Sequence, residues 1–202
     1  MRRIGALIFP GFELLDLFGP MEMFGMLTDE YSLELIAETA GPIRGNPGLD
    51  TVASRALEDA GDYDLLFVPG GPGTRALVDH APVLDWLAEQ GSRAEYVLSV
   101  CTGSALLARA GLLDGCKATT NKAAFAWVAS QGPQVNWVKQ ARWVEDGKFL
   151  TSSGVSAGMD MTLAAIALMH GRALAEEVAV SCEYTWHDDS TADPFAALHG
   201  LA

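Results

Sequence analysis

The chain has 202 residues, 50% of them hydrophobic and 19% charged, which excludes a disordered or fibrous protein. That length predicts a single domain over residues 1–202 that buries its core without disulfide or metal staples. Thirteen Lys+Arg against 26 Asp+Glu leave a formal net charge of −13; this repels phosphate backbones and anionic membranes and favours a small neutral organic substrate or another protein, with no nucleic acid and no membrane partner.

The start, Met1-Arg2-Arg3 and then Ile4–Phe9, imitates a signal peptide, but its six-residue apolar run stops at Pro10-Gly11. An h-region needs about 7–15 residues, so Ile4–Phe9 reads as a first strand. Leu14–Leu27 follows with helical spacing, then strand-type runs at Ser32–Ala37 and Leu65–Val68. Pro82–Gln90 is a helix with Pro near its start, Tyr96–Val100 a strand, and Ser104–Ala110 and Lys122–Ser130 helices. Val135–Val144 and Lys148–Ser152 flank Glu145-Asp146-Gly147, a hairpin signal. Met159–Tyr184 is helical and divided at Gly171. The sum is an α/β doubly wound, mostly parallel sheet with helices on both faces and a small antiparallel hairpin. The apolar run Met161–Met169 is far shorter than the roughly 20 residues of a membrane span. Three cysteines without CxxC or zinc spacing point to a reducing, cytoplasmic setting.

Cys101 stands where a predicted strand runs straight into a helix, with Gly103 two residues on. That is the layout of a nucleophile elbow, although Ser99 occupies a place where glycine is more usual. The following helix is expected to lower the thiol pKa from about 8.5. The alternative is an ordinary buried cysteine ending a core strand; Cys116, in a Gly-flanked loop, and Cys182, on an apolar helical face, read as ordinary structural cysteines. Val68-Pro-Gly-Gly-Pro-Gly73 lacks the ending of a phosphate loop; alone it is a tight turn. Beside an elbow, the N–H groups of Gly71 and Thr102 become expected oxyanion donors. Asp16 is a carboxylate inside the apolar stretch Leu14–Pro20, either a buried acid/base group or a first-turn helix residue. The four histidines show no metal-ligand spacing, His187-Asp188-Asp189 reads as a solvated loop, and most tryptophans as core.

Taken together, Phe9–Pro20, Val68–Gly73, Val100–Ser104 with Ala108–Gly115, Ala118–Thr120 and Thr151–Asp160 resemble the DJ-1/PfpI superfamily, of glutamine-amidotransferase-like, flavodoxin-type fold. The Leu-Asp-Leu-x-Gly-Pro and Cys-Thr-Gly pair most resembles the isonitrile hydratases. The resemblance implies Cys101 as nucleophile, Asp16 as its acid/base partner, Thr102 beside them, no metal or organic cofactor, and a homodimer. Many superfamily members carry a His after the Thr-Thr pair, where this chain has Asn121-Lys122. That removes a Cys–His dyad and, with Thr102 after the nucleophile, disfavours proteolysis. The implied reaction adds water to an isonitrile through a cysteine thioimidate. Alternatives are a non-catalytic ligand sensor, a redox-responsive protein, or glyoxalase- or deglycase-like activity. Sensor domains of this type precede a helix-turn-helix region, for which the tail Asp188–Ala202 leaves no room.

Overall fold

The computed structural model describes residues 1–201. β1 (Arg2–Leu7) enters the core at once and leads through buried Ile8 and Phe9 into α1 (Leu14–Gly25). β2 (Tyr31–Ala37) returns parallel to β1, with Arg2 opposite Tyr31 and Leu7 opposite Ile36. A hairpin of β3 (Gly41–Arg44) and β4 (Asp50–Ala53) leaves the sheet, and β5 (Arg55–Ala56) rejoins it beside β2. Next come β6 (Leu65–Val68), α2 (Thr74–Leu77), α3 (Ala81–Arg93), β7 (Tyr96–Val100) and α4 (Gly103–Arg109). β8 (Lys117–Ala118), α5 (Phe125–Gln131) and β9 (Asn136–Trp137) form a small annex. β10 (Trp143–Asp146) and β11 (Phe149–Ser152) make a second hairpin, followed by α6 (Ala157–His170) and α7 (Arg172–Ser181).

The central sheet has seven strands in the order β10-β11-β7-β6-β1-β2-β5, with β10 alone antiparallel to its neighbour. All four residues of β6 and the last four of β7 are buried, as strands covered on both faces require. The chain steps outward from β1 to β2 in one direction and from β6 to β7 and β11 in the other. Right-handed crossovers therefore place helices on opposite faces. α1 packs on α6 and α6 on α7, whereas α2, α3, α4 and α5 pack on one another. The order reverses between β1 and β6, and open α/β sheets bind ligands at the carboxyl ends of their strands beside such a point.

The expected strand Val135–Val144 is not continuous. Only Asn136–Trp137 and the residues from Trp143 onward are extended in ladders. Between them the backbone bonds to several partners: Val138 N–H donates to Ala118 O at 2.7 Å, Arg142 N–H to Ser190 O of the C-terminal tail at 2.8 Å, and Asp193 N–H of the tail to Gln140 O at 2.7 Å. The predicted turn at Asp146-Gly147 and the break at Gly171 are present. The β3–β4 hairpin was not anticipated. Among the described residues, no helix is long and apolar enough to cross a membrane.

Candidate active site

Three loops meet at the carboxyl ends of β1, β6 and β7. The turn after β7 puts Cys101 at φ 55°, in the left-handed region that a side chain occupies at a cost of about 1–3 kcal/mol. The surroundings hold that strain. Cys101 N–H donates to Ser152 O and Ser153 O (3.2 and 3.1 Å), while its carbonyl accepts from Thr120 Oγ1 (2.8 Å) and Ser104 Oγ (3.1 Å). Gly103 is required where it stands, because a Cβ there would lie 2.3 Å from Val68 O. The result is a nucleophile elbow with its sulfur at the base of a cleft and the residue 7% exposed.

Asp16, in the first turn of α1, is fully buried and does not cap the helix. Gly70 N–H donates to its Oδ2 at 2.9 Å. Oδ1 has no hydrogen-bond partner among the described residues, and the Cys101 thiol beside the carboxyl weakly favours its ionised form. Burial dominates and pushes Asp16 up to about 7; Gly70 N–H opposes the rise and the nearby Glu13 carboxylate adds to it.

The Cys101 thiol is not lowered as a helix start alone would predict. Burial first, and the Asp16 carboxylate second, push it up to about 12. The N–H groups of Thr102 and Val155 and the Asn121 side chain act against that rise. Asn121 therefore faces the sulfur, with its Oδ1 held by Ala124 N–H at 3.0 Å. At neutral pH the thiol stays protonated beside a carboxyl poised to accept its proton.

Thr102 serves the turn as much as the thiol. Its Oγ1 accepts Gly71 N–H (3.0 Å), donates to Gly71 O (3.2 Å) and meets Thr74 Oγ1 (3.2 Å). The Gly71 N–H expected as an oxyanion donor is thus already committed to Thr102. Val155 N–H, from the turn between β11 and α6, faces the sulfur instead. Gly71 itself, at φ 127°, leaves no space for a Cβ, which would lie 2.4 Å from Gly11 O.

The cleft above the sulfur encloses about 560 Å³ between Glu13, Arg75, Asn121, Trp127 and Val155. Trp127 and Arg75 form one wall, the guanidinium 4.2 Å above the indole. Of the tryptophans, Trp143 is core and Trp127 lines the site. A larger open groove of about 850 Å³ runs along α3 but holds no nucleophile; its Asp62 and Glu89 carboxylates are both paired with Arg93. Gly70, Asn121 as a donor, Val155 and Arg75 escaped sequence reasoning, since none is adjacent to Cys101 in sequence: Gly70 and Arg75 come from the segment after β6, Asn121 from the loop before α5 and Val155 from the turn before α6.

Residues 2–168 match the DJ-1/PfpI family. The isonitrile hydratase of Pseudomonas putida is 36% identical over 90% of this chain and 78% of its own length. The HTH-type transcriptional regulator CdhR of Pseudomonas aeruginosa is 32% identical over 85% of this chain, which spans 52% of that regulator. Among solved structures, a ThiJ/PfpI family protein from Pseudomonas syringae superposes with a TM-score of 0.84 at 33% identity, over 99% of this chain and 84% of that one.

Proposed function

The chain belongs to the DJ-1/PfpI family, and from that premise we propose that it hydrates isonitriles to N-substituted formamides, with Cys101 as nucleophile and Asp16 as acid/base. The observation that carries the reading is a buried carboxyl titrating near 7 against the thiol of a strained elbow, where Asn121 supplies a donor and no base. The similarity to an isonitrile hydratase over nine-tenths of the chain supports it.

In the first step the Asp16 carboxylate takes the thiol proton as the sulfur attacks the terminal isonitrile carbon. Asp16 returns that proton to the same carbon, giving the thioimidate R–N=CH–S–Cys101 with no net proton change. Thr102 N–H, Val155 N–H and Asn121 face the sulfur and favour its developing charge. In the second step Asp16 removes a proton from water as its oxygen attacks the thioimidate carbon, and passes that proton to the nitrogen. The C–S bond then breaks, Asp16 carries the remaining hydroxyl proton to the departing sulfur, and R–NH–CHO leaves. Water and isonitrile are the only reactants consumed. A homodimer and a cytoplasmic location belong to the same reading.

Formamide production from a simple alkyl isonitrile, compared with Cys101→Ala, tests it. Turnover abolished by the substitution is the expected result. No formamide from the intact protein with a reduced thiol would overturn the reading. It would leave the ligand-sensing alternative, to which the similarity with CdhR gives separate support.

A further inference from the structure

The cleft is lined by two charged side chains, Glu13 and Arg75. Glu13 is anchored, its carboxylate accepting Asn46 Nδ2 at 2.9 Å. Arg75 stands apart from every other arginine in the chain. The sequence has nine, in a protein with twice as many acidic as basic residues, and eight of them pair with a carboxylate at 3.3 Å or less. Among the described residues, no carboxylate lies within 4.0 Å of Arg75.

Its guanidinium is nevertheless positioned. It lies on the Trp127 ring at 4.2 Å, and Nη1 makes long contacts with Gly71 O (3.4 Å) and Thr74 Oγ1 (3.3 Å). Nε and Nη2 have no hydrogen-bond acceptor among the described residues. A planar fork stacked on an aromatic face, with one N–H edge unoccupied, matches the geometry of a carboxylate. Nothing in the hydration steps uses it.

We propose that Arg75 selects the far end of the substrate: the isonitriles taken by this site carry a carboxylate, bound by Arg75 while the isonitrile carbon meets Cys101. This rests on the hydratase reading above. It refines the expectation of a neutral substrate, because only the reacting end is neutral. The overall charge of −13 opposes any anion at long range, so a carboxylate needs a local cation of this kind to be held.

Two measurements test the proposal. The first compares an ω-isocyano carboxylate with its methyl ester in wild type, Arg75→Gln and Arg75→Lys. Wild type should prefer the acid by about 10–100-fold in kcat/KM, mainly through KM, as a charge-assisted pair allows. Arg75→Gln should erase the preference and Arg75→Lys restore part of it. The second needs no hydration: the rate of Cys101 modification by 3-maleimidopropionate relative to N-ethylmaleimide, read by peptide mass. A preference for the acidic reagent that disappears in Arg75→Gln supports anion capture even if neither isonitrile turns over, in which case the hydratase reading alone fails. Equal treatment of acid and neutral reagent by wild type, or a preference that survives Arg75→Gln, overturns the proposal.

Discussion

At the scale of the residue, Asp16 and Cys101 illustrate how burial separates two acid groups. Both are pushed toward the protonated form, Asp16 to about 7 and Cys101 to about 12, so Cys101 is held as a thiol and, in the proposed reaction, is activated only when Asp16 is ionised. The active base is the carboxylate, so kcat/KM for hydration should rise with pH through about 7 and then level off. Asp16→Asn should remove that inflection and lower the rate by about 10²–10⁴-fold. Formamide rates from about pH 5 to about pH 9 decide it; a flat wild-type profile would deny Asp16 its role. The identities of both residues were legible locally: Cys101 from the strand–helix junction with Gly103, Asp16 from a charge inside an apolar run. The direction of the thiol shift was not. It depends first on burial of the sulfur and second on a carboxylate that folding brings from α1, far away in the sequence.

At the scale of the element, the site is a set of turns clamped together, and Thr102 is the clamp between the β6 and β7 turns. Thr102→Val keeps the shape but deletes the hydroxyl that accepts Gly71 N–H, while Gly71 O keeps Thr74 Oγ1 as a donor at 2.8 Å. A buried N–H left without a partner costs about 1–3 kcal/mol, so the variant should unfold at correspondingly lower denaturant. It should also lose turnover through a loosened elbow; unaltered stability would show that the Gly71 turn is held by other contacts. Strand and helix runs with strong periodicity were legible, and so was the break at Gly171. The β3–β4 hairpin was not, because its strands are four residues each and largely exposed, and Pro42 interrupts the pattern. Val135–Val144 misled for the opposite reason. Its composition suits a strand, but its middle has no ladder partner: Gln140 O and Arg142 N–H are bonded instead to the tail at Asp193 and Ser190.

The start of that tail is also tied to the body through a buried group. Asp160 of α6 is fully buried, pairs with Arg142, and accepts Tyr184 Oη–H at 3.0 Å and His187 N–H at 2.9 Å. Removing one partner strands a buried charge, so Asp160→Asn should destabilise by about 3–5 kcal/mol. The tail should become accessible to protease before the core unfolds. Equal protease resistance in the variant would show that the tail is held by its other contacts.

At the scale of the whole molecule, the role proposed for the Asp16 carboxyl and the stability of the fold oppose each other. An unhindered Asp titrates at 3.8, and Asp16 in the fold near 7. Between those values the folded chain keeps a proton that the unfolded chain has released. Stability therefore falls as pH rises through this window, and the loss is complete above about 7. At 1.36 kcal/mol per pH unit the full cost is about 4 kcal/mol. Asp16→Asn removes the titration while keeping an oxygen for Gly70 N–H. The stability of the variant relative to wild type should thus grow from about pH 4 to about pH 8, measured by urea unfolding at several pH values. Subtracting one protein from the other cancels the surface carboxylates, such as Asp50 and Asp188, whose arginine partners lower them and give the opposite slope. A difference that stays constant with pH would mean that Asp16 is not destabilised by burial in the fold. A growing difference, found together with lost turnover, would show that the base is kept at the expense of stability.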